Sequence, residues 1–477
     1  MTSIAGPRVE PLDRERAREQ AIVDQFLAFF SVVLGGYAIG SKGFAYLGVA
    51  PLYIGELSLL FGLVALWHTR AKLALLQYPT IRLLGVFMLF GAARTLPYVR
   101  QYGLDALRDG VLWGYGTFSI IVAGVILSRP ERLSQLVARY RRFVPMFLIA
   151  APLAWIGTIL VAQLSRLAGS SVPTWPGSDV PLLSVKAGDL LVHLGGVGAF
   201  MCVGLAGRAR PWRSVLLVAG VAVTSMSRGG LLAFSLCYGV AMASRPRGRS
   251  GWQTTSLVFA ASALLAITGL RLRFPGNDRE ISFQQLVQQV ETTAGGESVG
   301  SSAGQDQQNT KAWRLAWWAE IVNYTILGDY RWTGKGYGVN LADDDGFQVT
   351  DDDSLRSPHN VHMTVLARSG LIGLGLWLLL QGAWLLGIVR GIRDARRQGA
   401  REWYALFTFL LAYWLALLVN GTFDVYIEGP AGGIWFWTIF GLGIAADIIY
   451  RNREQLALPA APERAAARGA LPSSRSR

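Results

Sequence analysis

The sequence predicts an all-α, polytopic membrane protein with about twelve transmembrane helices. Three observations predict this class: 52% of the 477 residues are hydrophobic, only 16% are charged, and the mean hydropathy is +0.35. A soluble chain of this length carries far more polar residues. Because a hydrocarbon core of roughly 30 Å requires about 20 apolar residues per helix, long apolar runs mark the spans.

Short polar links separate the apolar runs, and each run is taken as one span. No cleavable signal peptide is expected before the first span, because residues 1–21 are charged and lack a small-residue cleavage site. The run at 213–227 is short and passes almost directly into the next one. The predicted spans are residues 22–40, 52–67, 80–97, 107–127, 144–164, 188–206, 213–227, 229–244, 254–270, 361–389, 403–421 and 431–449.

Basic residues predict the orientation of these spans. With twelve spans, all of the arginine-rich links and both termini lie on one side, which is cytoplasmic by the positive-inside rule. The net charge of +14 is therefore a topogenic signal. It does not indicate nucleic-acid binding, because the sequence contains no soluble basic domain. The arginine-rich links are residues 68–79, 128–143, 207–212, 245–253 and 390–402.

The spans divide the chain into four parts. These are an N-terminal transmembrane bundle of nine predicted spans (1–270), a long external loop with short helices (271–358), three C-terminal spans (359–450) and a disordered cytoplasmic tail (451–477). The second half of the loop is rich in Trp and Tyr, which often lie at the headgroup level of a bilayer. We therefore expect the loop to fold back onto the membrane.

Neither the cysteines nor the acidic residues predict a metal site. Cys202 and Cys237 fall within predicted spans, where a disulfide is not expected. Aspartates at 343–345 and 351–353 suggest a calcium loop, but alignment on Gly346 places Leu341 at the first ligand position. Since leucine cannot coordinate calcium, we favour a solvated acidic loop and expect no metal and no cofactor.

The strongest candidate site is the sequence Ser-Pro-His-Asn at residues 357–360, where the external loop meets the span at 361–389. Proline suits the first turn of a helix, so the imidazole of His359 is expected at a helix N-terminus on the external surface. With an unperturbed pKa of ~6.5, imidazole accepts protons near neutrality. The alternative is a polar helix-entry residue bonded to water. Asn360 adjoins this imidazole, and His362 is close enough to point the same way.

Two arginines are candidate anion ligands. Arg228 ends the run at 213–227 without an acidic neighbour, and such a charge near a membrane is a functional hypothesis. Its alternative is a snorkelling side chain. Arg314 lies in a short amphipathic helix at 311–318, where the alternative is a surface cation over an aromatic face. Guanidinium suits a diphosphate because its planar fork makes bidentate contacts.

A glycine-rich turn precedes the histidine. Residues 334–338 lack the spacing and the strand–helix context of a phosphate-binding loop. We interpret them as a sharp turn, permitted by glycine, that positions Tyr337 beside the site.

Taken in order, these motifs resemble the O-antigen ligase and O-antigen polymerase superfamily of bacterial envelope enzymes. They are Ser-Arg-Gly at 227–229, Arg314 followed by Trp317 in the loop, Gly-x-Gly-x-Gly-x-Asn at 334–340, and Pro-His-Asn entering a glycine-rich apolar helix. The resemblance covers roughly residues 190–390, while the remainder matches only in helix count. An unusual feature is His362, at a position where the family more often has an aromatic residue.

The resemblance implies a membrane-embedded glycosyltransferase of the GT-C type in the bacterial inner membrane, with its active site on the periplasmic face. It implies an undecaprenyl-diphosphate-linked glycan as donor and no cofactor. By the same resemblance His359 is the catalytic base, and Arg228 and Arg314 hold the diphosphate. Asn360, Tyr337 and His362 are expected as neighbours of the site.

Three functions remain open at this point. A ligase transfers the glycan, with inversion, onto a lipid A-core sugar of lipopolysaccharide, whereas a polymerase joins one lipid-linked repeat unit to another. Both use the same donor and the same three residues. The alternative from another class is a transporter or flippase with Arg228 in its path. The absence of internal repeats and the long external loop argue against it.

Overall fold

The computed structural model describes residues 11–69, 74–207, 210–225, 227–244, 272–273, 280–281, 302–349 and 355–452. These residues form a helical bundle with two short antiparallel hairpins, β1 (Gly48–Val49) with β2 (Leu52–Tyr53) and β3 (Leu272–Arg273) with β4 (Glu280–Ile281). The helices are α1 (Pro11–Ala45), α2 (Ile54–Trp67), α3 (Pro79–Tyr102), α4 (Leu104–Gly114), α5 (Gly116–Ser128), α6 (Glu131–Leu167), α7 (Ala187–Cys202), α8 (Pro211–Thr224), α9 (Arg228–Ala243), α10 (Ser302–Val322), α11 (Leu341–Asp344), α12 (Val361–Arg397), α13 (Arg401–Phe423) and α14 (Pro430–Arg451).

The helices agree with the predicted class of polytopic membrane protein. Within the described residues, six are long and apolar enough to cross a membrane: α1, α3, α6, α12, α13 and α14. Helices α4 and α5 meet that test as a pair bent by 43°, and α2, α7, α8 and α9 are shorter apolar helices. Each predicted span before residue 245 and after residue 360 therefore falls on a helix. The predicted span at 254–270 lies outside the described residues, so the count of twelve stays a prediction.

Helices α12 and α13 define two ends of the bundle, because His362 near the start of α12 contacts Thr422 near the end of α13, while a short connection joins their other ends. We call one the site end, where α12 begins and α13 finishes, and the other the arginine end, where Arg397 and Arg401 join these helices. Helices α7 and α9 also begin at the site end. Helix α14 packs against α1 and α5, so helices from both predicted transmembrane parts share one apolar core.

Helix α12 is broken, although the sequence predicts a continuous span at 361–389. Gly370 has φ 61° and ψ −163°, which divides α12 into a first arm (361–369) and a second arm (371–397). The Trp377 Nε1 atom donates to His362 Nδ1 over 3.1 Å. Fifteen residues of straight helix would separate these two positions by about 22 Å. The first arm must therefore fold back steeply towards the second.

The glycine turn (residues 334–338) and the four residues before it close this break. N–H groups of the glycine turn donate hydrogen bonds to carbonyls at the end of the first arm. Carbonyls of the residues before the turn accept hydrogen bonds from N–H groups at the start of the second arm. An added Cβ on Gly334 would lie 2.4 Å from the Arg368 backbone, and one on Gly370 would lie 2.4 Å from the Trp332 backbone. Glycine is required at both positions. The hydrogen bonds are Lys335 N to Ala367 O (2.8 Å), Gly336 N to Arg368 O (3.0 Å), Leu371 N to Arg331 O (2.7 Å) and Ile372 N to Trp332 O (3.4 Å).

Candidate active site

His359 lies in the loop at residues 357–360, which we call the histidine loop. The backbone of this residue has an uncommon conformation. Its φ is 56°, and among the described non-glycine residues only Ser41 shares a positive φ. Such conformations persist only where the surroundings hold them, and they concentrate at functional sites. Directly before His359, the carbonyl of Pro358 accepts from Trp318 Nε1 over 2.9 Å. Directly after it, the Asn360 side chain caps α12 by accepting from the N–H groups of His362 (2.9 Å) and Met363 (3.3 Å).

The imidazole of His359 is partly buried, and its Nδ1 atom is enclosed without a hydrogen-bond partner in the described residues. Burial lowers the pKa of His359, and the positive charges of Arg314 and Lys186 lower it further. The carboxylate of Asp424 and the Ser357 backbone act in the opposite direction. Because the net shift is downward, His359 is neutral near pH 7 and able to accept a proton.

Arg314 comes to His359 from helix α10. Its Nη1 atom donates to the carbonyl of Phe423 over 2.9 Å, whereas its Nε atom is buried and has no hydrogen-bond partner among the described residues. Burial lowers the pKa of Arg314, and Asp424 opposes that shift. Trp318 lies four residues further on the same helix face and holds the histidine loop. One face of α10 therefore carries both Arg314 and the tryptophan that contacts the histidine loop.

Arg228 approaches the same place from another helix. It is the first residue of α9, and the side chain of Ser227 caps this helix by accepting from Gly230 N over 3.3 Å. Close packing brings the start of α9 against the end of α13, since a Cβ on Gly229 would lie 2.9 Å from the Phe423 Cβ. Phe423 thus adjoins the start of α9 and accepts from Arg314. The structure brings the two predicted arginines to one end of α13.

Two charged residues at this place escaped the sequence analysis, Lys186 and Asp424. Lys186 precedes α7 and Asp424 follows α13, and the lysine Nζ atom lies 3.4 Å from both carboxylate oxygens. Burial lowers the pKa of Lys186, but Asp424 and then Asp189 raise it more, so the net shift is upward. The available signal was position, because both residues directly flank predicted spans on the predicted external face. Lys186 and Asp424 are 238 residues apart in the sequence, and no pattern in the sequence indicates that they form a pair.

His362 differs from His359 because both of its ring nitrogens are occupied. Nδ1 accepts from Trp377, and Nε2 lies 3.3 Å from the hydroxyl of Thr422. That hydroxyl donates to the carbonyl of Leu418 over 3.0 Å, so it accepts a hydrogen bond from the N–H group at Nε2. One neutral tautomer satisfies all three contacts, and it leaves no lone pair to take a proton. The contacts of His362 are those of a structural residue.

Tyr337 also has a structural environment. Its side chain is fully buried, its hydroxyl lies 3.0 Å from Ser369 Oγ, and its ring lies 5.9 Å from the Arg368 guanidinium carbon. Its N–H donates to the carbonyl of Arg94 over 3.2 Å. These contacts lie at the break in α12, and none in the described part of the chain joins Tyr337 to His359. The glycine turn thus positions Tyr337 against the first arm.

A buried ion cluster attaches the histidine loop to α4. Asp109 accepts from Arg356 over 3.0 Å and pairs with Arg368 over 3.0 Å. Arg356 also donates to the carbonyl of Gly338 over 2.9 Å. Burial lowers the pKa of Arg356, but hydrogen bonding and charge from Asp109, followed by Asp105, raise it. The cluster ties the residue before the loop, the first arm of α12 and the glycine turn to one carboxylate.

Part of the acidic run is occupied by protein contacts. Lys335 Nζ lies 2.6 Å from an oxygen of Asp344 and 2.5 Å from one of Asp345. The other oxygen of Asp345 accepts from Trp317 Nε1 over 2.6 Å. Within the described residues, no group of three or more His, Cys, Asp or Glu side chains is placed to hold a metal ion. The aspartates at 351–353 lie outside the described residues.

Comparison with known proteins bears on this arrangement. No curated protein matches the chain. Residues 214–378 match the family model described as O-antigen ligase, which is a glycosyltransferase-like enzyme family. The match contains Arg228, Arg314 and the histidine loop, but neither Lys186 nor Asp424. The resemblance to the O-antigen ligase superfamily is therefore confirmed over residues 214–378, and the chain is a multi-pass membrane protein.

Proposed function

We propose that this protein is an inverting O-antigen ligase that transfers a glycan from undecaprenyl diphosphate to a hydroxyl group of lipid A-core. The observation that carries the proposal is the meeting of His359, Arg314 and Arg228 at the site end of the bundle. A neutral imidazole beside fixed cations suits the transfer of a sugar from a diphosphate. The O-antigen ligase match over residues 214–378 supports the same substrate class.

In the proposed reaction, the acceptor hydroxyl attacks the anomeric carbon and loses its proton to the imidazole of His359. The bond from that carbon to the diphosphate oxygen breaks, and undecaprenyl diphosphate leaves with the bonding electrons. Placed general bases contribute about 10²–10⁴-fold to rate. Arg228 and Arg314 stabilise the charge that builds on the diphosphate, and one preorganised donor of this kind contributes about 2.7–4 kcal/mol. Because the leaving group is already activated, the reaction requires no cofactor.

Asp424 and Lys186 extend this proposed machinery. Once His359 is protonated it carries a positive charge beside Arg314 and Lys186, which is unfavourable. Asp424 interacts with all three groups and offsets that repulsion. The Lys186 side chain is 47% exposed, so its ammonium group is accessible to an incoming diphosphate. We assign Asp424 to stabilising the imidazolium and Lys186 to binding the donor.

The proposed location is the bacterial inner membrane, with both termini in the cytoplasm and the site end in the periplasm. This assignment rests on the basic residues Arg390–Arg401 at the arginine end, where α12 meets α13. An undecaprenyl-linked donor then reaches the site from the outer leaflet of that membrane.

The purified protein in detergent, supplied with an undecaprenyl-diphosphate-linked glycan, tests the proposal. Each reaction receives either lipid A-core or a second lipid-linked repeat unit, and mass spectrometry identifies the product. Glycan on lipid A-core supports the ligase. Extension of the second lipid-linked unit instead would identify a polymerase, and transfer to neither acceptor would contradict a glycosyltransferase function.

A further inference from the structure

A glutamate that takes no part in the proposed reaction contacts the residues on either side of His359. Glu428 lies in the connection between α13 and α14, and its Oε1 atom accepts from Thr364 Oγ1 over 3.0 Å. The Thr364 hydroxyl lies 3.1 Å from the hydroxyl of Ser357, which also interacts with the Glu428 carboxyl group. Ser357 is two residues before His359, and Thr364 is in the first turn of α12. One carboxyl group thus joins both sides of the loop.

The environment of Glu428 is costly for a carboxylate. Burial raises its pKa to about 7, although hydrogen bonds from Ser357 and Thr364 and the charge of Arg368 act to lower it. Asp109 is the other acidic group that faces it, and it raises the pKa. Burying a charged group costs free energy unless hydrogen bonds or opposite charges offset the lost hydration. The hydroxyl groups of Ser357 and Thr364 offset part of that cost and are oriented by the carboxyl group in return.

The loop needs support on this side because of its backbone conformation. A positive φ at a non-glycine residue is retained only when neighbouring contacts hold it. Trp318 holds the carbonyl of Pro358 from the α10 side. Glu428 holds Ser357 and Thr364 from the α13–α14 side, so the two sets of contacts fix the loop between them.

We infer that Glu428 is a positioning residue, which acts through Ser357 and Thr364 to hold the His359 imidazole in its reactive orientation. This inference rests on the proposed function, since it assigns a support to the base of that reaction. Glu428 itself touches neither donor nor acceptor in this account. Misplacing a reacting group by about 1 Å can cost about 10²-fold in rate, so loss of the support should reduce kcat far more than it changes the KM for donor.

Four variants of the full-length protein test the inference. Glu428→Ala removes the carboxyl group, Glu428→Gln keeps an acceptor oxygen, and Thr364→Val removes the linking hydroxyl while leaving Glu428 intact. Asp447→Ala is the control, because Asp447 lies near the arginine end of α14 and pairs with Arg451. Each variant is assayed for kcat and donor KM. The reaction of His359 with diethyl pyrocarbonate, which acylates neutral imidazole, is followed by tandem mass spectrometry.

Glu428→Ala and Thr364→Val should each lower kcat, by about 10²-fold for the alanine variant, with donor KM nearly unchanged. Both should speed acylation of His359, because a loosened loop exposes its partly buried ring. Glu428→Gln should recover most of kcat, and Asp447→Ala should match the wild type in every measurement.

Wild-type kcat and acylation rates in both Glu428→Ala and Thr364→Val would overturn the inference. Equal loss of kcat in Glu428→Gln and Glu428→Ala would also contradict it, since the acceptor oxygen would then not matter. Acylation of His359 does not require glycan transfer. If the wild type transfers no glycan, the proposed function fails, while the acylation rates still decide whether Glu428 orients this histidine.

Discussion

The indole of Trp377 donates a hydrogen bond to the imidazole of His362 across the break at Gly370. This contact resolves which of two neighbouring histidines is suited to accept a proton. It occupies one nitrogen of His362, and Thr422 occupies the other. His359 keeps a nitrogen without a partner, and its lowered pKa favours the neutral form. Within the described residues, the fold of α12 thereby separates an imidazole with both nitrogens occupied from one with an unoccupied nitrogen.

Replacing His359 is expected to remove most activity. His359→Ala should lower the rate of glycan transfer by about 10²–10⁴-fold, because the acceptor hydroxyl loses its proton acceptor. His362→Ala is the matched comparison and should lose much less, since its nitrogens serve only Trp377 and Thr422. Purified variants with equal membrane levels are compared on the same lipid-linked donor. A His359→Ala variant as active as the wild type would eliminate this residue as the base.

The two arginines should behave as ligands of one group. Lysine keeps the charge but loses the bidentate fork, so Arg228→Lys and Arg314→Lys should each be strongly impaired, and the alanine variants more so. Arg331→Lys is the control, since among the residues that the structure describes its side chain donates to the Ile326 carbonyl at the surface and not to the site. In a double-mutant cycle of kcat/KM, the pair should lose less than the sum of the singles. Fully additive losses would show that the arginines serve separate ligands.

Asp424 and Lys186 should move the pH dependence of transfer in opposite directions. The acidic limb of the rate profile reports protonation of His359, and it should lie below pH ~6.5 because the pKa is lowered. Asp424 raises that pKa, so Asp424→Asn should shift the limb to lower pH and reduce the plateau rate. Lys186 lowers it, so Lys186→Gln should shift the limb to higher pH and raise the KM for donor.

These shifts are read from kcat/KM profiles measured between pH 4.5 and 8. Conditions of low ionic strength are preferred, since salt weakens interactions between partly exposed charges. Shifts in the same direction, or an acidic limb unchanged in both variants, would contradict the proposed electrostatic coupling to His359.

The glycines that close the break in α12 should be essential for folding. Gly334→Ala and Gly370→Ala each place a Cβ about 2.4 Å from backbone atoms at a positive φ, so both should strongly reduce thermal stability and membrane levels. Gly375→Ala in the second arm is the control, because within the described residues no atom outside the adjoining helix backbone lies within 4 Å of its added Cβ. Fluorescence-detected size-exclusion after heating measures all three. Normal stability of Gly334→Ala would contradict the tight closure described above.

The sequence by itself determined the class of the protein and much of its candidate site. Long apolar runs predict membrane-spanning helices, because every lipid-facing residue of a span must be compatible with the hydrocarbon core. Asn360 caps α12 and Ser227 caps α9, as the local preferences at helix starts predict. The order of motifs around Arg314 and His359 was sufficient to indicate the family, which the comparison confirmed over residues 214–378.

Only the tertiary structure decided how those residues meet. The break at Gly370 lies inside the predicted span 361–389, and it exists because residues 331–336 form backbone hydrogen bonds to both arms. Lys186 and Asp424 pair although 238 residues separate them in the sequence, and Tyr337 contacts Ser369 at the break in α12. Local sequence constrains which side chains a helix can present, whereas contacts between distant segments depend on how the helices pack.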